Sequence, residues 1–186
     1  RGIIVDSFLL RLENIFRNSA SSDELFDAFR EAINARVVDM DLYKILLGNP
    51  ALSPDEIKMF TEKLAKDIPE HRVSAFMWTA NVFEHEKEDY NKLENAVGYY
   101  QRAFEQEPAN AVPLIRLLNL YNYDLETQIN KTIIDFVVQN VKSVNKKSGT
   151  FFSLADLYKR KGDYLLASKY LALGEKATER EANSKF

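Results

Sequence analysis

The residues with the types and spacing to do chemistry are few: two histidines, and a run of carboxylates around one of them. His85 stands between Glu84 and Glu86, with Lys87, Glu88 and Asp89 close behind. A metal site on a helix needs a second ligand one turn away on the same face. Glu88 or Asp89 could supply it only if a helix ran on through a stretch that reads as a turn. The run also lacks the spacing of a calcium loop, so it reads as a solvated turn. His71 lies just after Pro69 at a helix start and reads as a surface or capping residue. The chain has no cysteine, which excludes thiolate nucleophiles, thiolate zinc sites and redox pairs. Asn145-Lys146-Lys147-Ser148-Gly149 has too few glycines, in the wrong order, for a phosphate cradle and reads as a basic helix end. Asn130-Lys131-Thr132 fits the glycosylation triplet, a pattern common by chance. Acid–base catalysis needs converging groups with matched pKa values. No such constellation stands out in the sequence, so a non-enzyme without cofactor or metal is expected.

The elements that must position any functional side chain are helices. Among 186 residues there are 6 glycines and 5 prolines, 46% are hydrophobic and 28% charged. Between the breakers Leu, Ala, Glu and Lys dominate, which favours helix over strand. A net charge of −3 and a pI of about 5.6 argue against nucleic acid as a partner, which calls for a basic stripe. The one basic region, Lys142 to Lys147 with Lys159 to Lys161, suffices for a local acidic contact. The apolar start from Gly2 to Leu12 is interrupted by Asp6 and Arg11 and falls short of the ~20 residues of a membrane helix, so no membrane span is expected. A chain that begins at Arg1 reads as an excised or processed piece of a longer protein. The absence of cysteine fits any compartment, and a cytoplasmic setting is the working expectation.

Polar or Gly/Pro clusters at 18–22, 36–40, 48–53, 68–70, 86–91, 107–111, 124–127, 146–150 and 161–163 cut the chain into about ten helices. Ser53-Pro54-Asp55-Glu56 is a strong helix start, in which the serine accepts from orphan N–H groups and Glu56 reaches back to close a capping box. Ser22-Asp23-Glu24 begins another helix with its acids at the positive end of the dipole. Lys159-Arg160-Lys161-Gly162 is a stop, with Gly162 free to turn left-handed. Connections this short imply five successive antiparallel hairpins.

The last hairpin carries Phe151, Leu154, Ala155, Tyr158, Gly162, Tyr164, Ala167, Leu171 and Gly174 at offsets 0, 3, 4, 7, 11, 13, 16, 20 and 23. Small residues at Ala155, Ala167 and Gly174 admit close helix approach, while Phe151, Tyr158 and Tyr164 fill the gaps. This spacing resembles the tetratricopeptide repeat, a helix-turn-helix unit of 34 residues. A second copy lies on 73–108, with Phe76, Ala80, Phe83, Leu93, Ala96, Tyr100, Ala103 and Pro108, given about four extra residues in its turn. Between them Leu114, Leu117, Leu118 and Tyr121 open a looser copy, with Leu118 where a small residue is expected. The equivalent positions Ala80, Leu118 and Ala155 are 38 and 37 residues apart. The resemblance is clearest in 148–180 and 73–108. Residues 1–72 match only as amphipathic hairpins and are expected to be divergent repeats or an N-terminal helical cap.

The resemblance implies an all-α fold, a right-handed α-solenoid of antiparallel hairpins, with repeats at about 73–108, 111–146 and 148–181, continuous with 1–72. It also implies a non-catalytic module that holds a peptide or helix of a protein partner in a concave groove lined by the first helix of each repeat. In this chain those positions are Ser74, Met77, Asn81, Glu84 and His85, then Val112, Ile115, Asn119, Asn122 and Tyr123, then Phe152, Asp156, Lys159 and Arg160. The residues expected to touch the partner are Met77, Asn81, Ile115, Asn119, Tyr123, Phe152 and Asp156. The carboxylate clamp of family members that hold chaperone tails is matched only by Asn81: Met77, Arg116, Gly149 and Ser153 occupy its other places. A chaperone-tail partner is therefore not expected. The alternative is a structural or regulatory domain of a larger protein whose last repeat docks intramolecularly.

Overall fold

The structure is a computed structural model that describes residues 2–37, 40–85, 90–121 and 127–184. These residues form ten α-helices and no strand: α1 (Gly2–Asn18), α2 (Ser22–Asn34), α3 (Met40–Leu47), α4 (Pro54–Asp67), α5 (Arg72–His85), α6 (Tyr90–Gln106), α7 (Val112–Leu120), α8 (Thr127–Asn140), α9 (Ser148–Arg160) and α10 (Tyr164–Asn183). A single 3₁₀ turn, Pro69–His71, precedes α5. No helix among the described residues is long and apolar enough to cross a membrane. The chain divides into two compact units, Arg1–Glu86 and Lys87–Phe186. The repeat expected at 73–108 thus draws on both, with α5 in the first and α6 in the second.

In the first unit each helix buries one stripe. Leu25, Ala28, Phe29, Ala32 and Ile33 of α2 recur at three- and four-residue steps and are buried, as are Ile57, Phe60, Thr61, Leu64 and Ala65 of α4. Helix α1 packs on α2 and α3, and α5 packs on α3 and α4. The Phe29 ring meets Phe60 edge-on, with centroids 4.7 Å apart, and so joins α2 to α4. The box at Ser53 forms as expected: Glu56 N–H donates to Ser53 Oγ (3.3 Å) and Ser53 N–H to Glu56 Oε2 (2.8 Å). The Ser53 N–H and hydroxyl hold the Glu56 carboxyl below the usual carboxylate range. Helix α2 begins at Ser22 with Asp23 and Glu24 in its first turn, as expected, and Ser21 caps it by accepting from Glu24 N–H.

Two buried polar arrangements lock this unit. Asn49, in the turn after α3, donates to the Phe16 carbonyl (3.0 Å) and the Ser19 carbonyl (2.9 Å) and accepts from Ala51 N–H (2.8 Å). Its amide thereby ties that turn to the end of α1, and its polar atoms are satisfied. Tyr43, Thr61 and Thr79 join α3, α4 and α5 through hydroxyls: Tyr43 lies 2.7 Å from Thr61, which lies 2.7 Å from Thr79 and donates to the Ile57 carbonyl. Burial pushes the Tyr43 phenol up to about 12.

In the second unit α7 packs on α6, α8 and α9, and α9 packs on α10. Phe104 meets Phe136 edge-on at 5.7 Å, which joins α6 to α8. The turn after α8 is fastened to the turn after α6 by Asn145 N–H to the Ala109 carbonyl (2.9 Å) and the Ser143 hydroxyl to the Pro108 carbonyl (3.1 Å). Gly162 ends the α9 segment with φ +77°, a conformation that favours glycine, and Asp163 caps α10 by accepting from Leu166 N–H. Glu181 of α10 caps the start of α9, accepting from Ser148 N–H (3.0 Å) and the Ser148 hydroxyl (2.7 Å). Phe151 and Tyr158 pack on Tyr170, the latter pair stacked at 5.4 Å. Tyr164 does not fill a gap as the repeat pattern expects: it is 70% exposed, and Leu165 and Leu171 of α10 are exposed as well.

Candidate functional site

Within the second unit, α7 and α9 lie side by side and leave one stripe each uncovered. Helix α7 begins where Asn110 Oδ1 accepts from Val112 N–H (3.0 Å), with Pro113 in its first turn. Its Leu114, Leu117 and Leu118 are buried, which turns Val112, Arg116 and Asn119 outward. Helix α9 buries Leu154, Ala155 and Leu157 and leaves Phe152, Asp156 and Arg160 exposed. The two helices approach closely where Gly149 faces Ile115: a Cβ on the glycine would lie 3.4 Å from Ile115 Cδ1. Val112 is 50% and Phe152 38% exposed, so the surface offers apolar area together with the Asn119 amide.

Of the residues expected to touch a partner, Ile115, Asn119, Phe152 and Asp156 are brought onto this pair of packed helices. Ile115 is half-buried and Asn119 exposed. Phe152 serves two purposes, because its ring also lies over Gly174 of α10: a Cβ there would come within 2.6 Å of Phe152 Cε1. Asp156 is paired with Arg160 at 3.1 Å one turn on, which partly satisfies it. Lys161, just past α9, sits over the Tyr121 and Tyr158 rings at 5.5 and 5.9 Å. Burial raises the Tyr158 phenol, with Tyr170 and nearby carboxylates adding to it.

Met77 and Asn81 belong to the other unit, on α5. Both are half-buried, and Asn81 Nδ2 lies 3.3 Å from His85 Nε2. Tyr123 lies outside the described residues, as do Asn122, Glu86, Glu88 and Asp89. Glu84 is not part of a solvated turn: α5 runs on to His85, which places Glu84 one turn beyond Ala80 on the buried face. Among the described residues no three His, Asp or Glu side chains cluster closely enough to hold a metal ion.

A second feature of this unit escaped the sequence pattern. A cleft of about 420 Å³ lies between the 141–147 turn and the C-terminal half of α10, with Lys142, Lys147, Lys176 and Arg180 on its walls. Only the lysines of the turn stood out in the sequence, because Lys176 and Arg180 arrive from ~30 residues away once the α9–α10 register is set.

No family model, no curated protein and no solved structure matches this chain.

Proposed function

We propose that the chain is a non-catalytic interaction module, a right-handed solenoid of helix hairpins resembling tetratricopeptide repeats, that holds a peptide or helix of a partner protein against α7 and α9. The observation that carries this reading is the exposure of Val112 and Asn119 on α7 and of Phe152 on α9, first helices of successive hairpins that pack on each other. Several packing contacts within the units support the repeat reading. Odd-numbered helices follow one another, α1 on α3, α3 on α5, and α7 on α9. Even-numbered ones meet through aromatic pairs, α2 with α4 and α6 with α8. Stacked first helices with Gly149 between them give a shallow apolar surface. Asn119 adds a donor and an acceptor that suit a ligand backbone. Such a surface fits a neutral or amphipathic segment whose affinity changes little with salt.

The test is selection of displayed random peptides on the immobilised chain, beside a variant carrying Val112→Glu and Asn119→Ala. Both positions are exposed, so the fold is expected to persist. Enrichment of peptides with apolar anchors on the wild type, lost on the variant, supports the reading. Equal enrichment on both, or none on either, overturns it.

A specific observation also favours a structural role for the last hairpin. Tyr164, Leu165 and Leu171 leave large apolar side chains exposed on α10, of the kind another element covers. In that reading the hairpin docks against another part of a larger protein.

A further inference from the structure

The cleft beside α10 differs in chemistry from the α7–α9 face. Among the described residues its walls carry Lys142, Lys147, Lys176 and Arg180 against one carboxylate, that of Glu181, in a chain whose net charge is −3. That carboxylate is already committed: it accepts from the Ser148 N–H at 3.0 Å and the Ser148 hydroxyl at 2.7 Å. None of the four cations makes an ion pair with a carboxylate among the described residues. Lys142, Lys176 and Arg180 are exposed and Lys147 half-buried. Phe151, Leu173 and Ala177 also line the cleft, so an apolar surface lies between the charges. Its volume, about 420 Å³, is within the rough 300–1,000 Å³ range of pockets that enclose a small ligand or a side chain with its neighbours.

We propose that this cleft is a second binding site, for an acidic protein segment that carries a large apolar residue beside its carboxylates. The apolar side chain enters against Leu173 and Phe151, and the flanking carboxylates meet Lys142 and Lys147 on one wall and Lys176 and Arg180 on the other. Charge complementarity selects the occupant. A nucleic acid requires a continuous basic track along its phosphates, whereas these cations are confined to one cleft. A bilayer requires apolar side chains that project, whereas Phe151 is buried and Leu173 half-buried. Long-range attraction makes this binding salt-sensitive, in contrast to the α7–α9 face.

The experiment is fluorescence polarisation with the whole chain and a labelled peptide in which one phenylalanine is flanked by glutamates. An all-glutamate peptide serves as a second probe. Variants are Lys176→Gln with Arg180→Gln, and a charge-matched control, Lys66→Gln with Lys131→Gln; all four residues are exposed. The proposal expects saturable binding of the phenylalanine peptide, weakened about tenfold by loss of its ring and about tenfold by the cleft variant, and unchanged in the control. Val112→Glu should leave it unchanged, which separates this site from the α7–α9 face. Equal binding to both variants, equal binding of the all-glutamate peptide, displacement by inorganic phosphate alone, or a preference for single-stranded RNA or phosphatidylserine vesicles over the peptide overturns it. Absence of binding up to ~1 mM peptide does so too.

Discussion

The contact between Phe152 and Gly174 makes a test whose sign depends on the packing. In an open helix interior Gly→Ala stabilises by about 1 kcal/mol, because alanine has less backbone freedom to lose. At Gly174 the new methyl would lie 2.6 and 2.7 Å from Phe152 Cε1 and Cδ1, so the ring must leave. Phe152 is 38% exposed, so its ring can swing out. Doing so forfeits on the order of 100 Å² of apolar contact, or about 2 kcal/mol. Gly174→Ala should therefore destabilise the α9–α10 hairpin by about 1 kcal/mol in the wild type, yet stabilise it by about 1 kcal/mol when Phe152 is alanine, a coupling of about 2 kcal/mol. Hydrogen exchange of peptides from α9 and α10, read by mass spectrometry, gives the local opening free energies needed, without assuming that both units unfold together. Equal stabilisation by Gly174→Ala in both backgrounds would refute the contact and the small-against-large packing of this hairpin.

Tyr43→Phe removes one hydroxyl from a network in which Thr61 keeps its bonds to Thr79 and the Ile57 carbonyl, so it should cost about 1 kcal/mol at neutral pH. The folded phenol ionises near 12 against about 10 in the unfolded chain, so its contribution is whole below pH 10 and fades as pH rises towards 12. Up to about 3 kcal/mol is lost in the process, so the variant should overtake the wild type before about pH 12. Urea unfolding followed by Trp78 fluorescence, which reports on α5, checks both. Asn49→Ala strands two carbonyls at the end of α1 and the Ala51 N–H in the turn after α3, and should cost about 2–3 kcal/mol in the same assay, where an unchanged midpoint contradicts the lock.

What was legible in the sequence was local. Ser53, Pro54 and Glu56 act within one turn, and Gly162 needs only its own φ, so each could be read without knowing a neighbour. The same holds for the apolar steps of α2 and α4 and for Phe151, Tyr158 and Gly174 of the last hairpin. Contacts set by register were not legible. Asn49 reaches 33 residues back to Phe16, Tyr43 36 forward to Thr79, and Ser148 33 forward to Glu181. Each depends on how helices cross rather than on spacing within one. The basic cleft was half visible for the same reason: Lys142 and Lys147 share a turn, whereas Lys176 and Arg180 are delivered by α10. On the α7–α9 face Asn119 and Phe152 were named through the repeat resemblance alone, which does not reveal that the Phe152 ring also covers Gly174.

The most direct measurement of partner binding by α7 and α9 is hydrogen exchange across the whole chain with and without a peptide selected on it. Added protection concentrated in 112–120 and 148–160, and absent in the Val112→Glu, Asn119→Ala variant, is the predicted result. Protection confined to other helices, or unchanged by the substitutions, would contradict it.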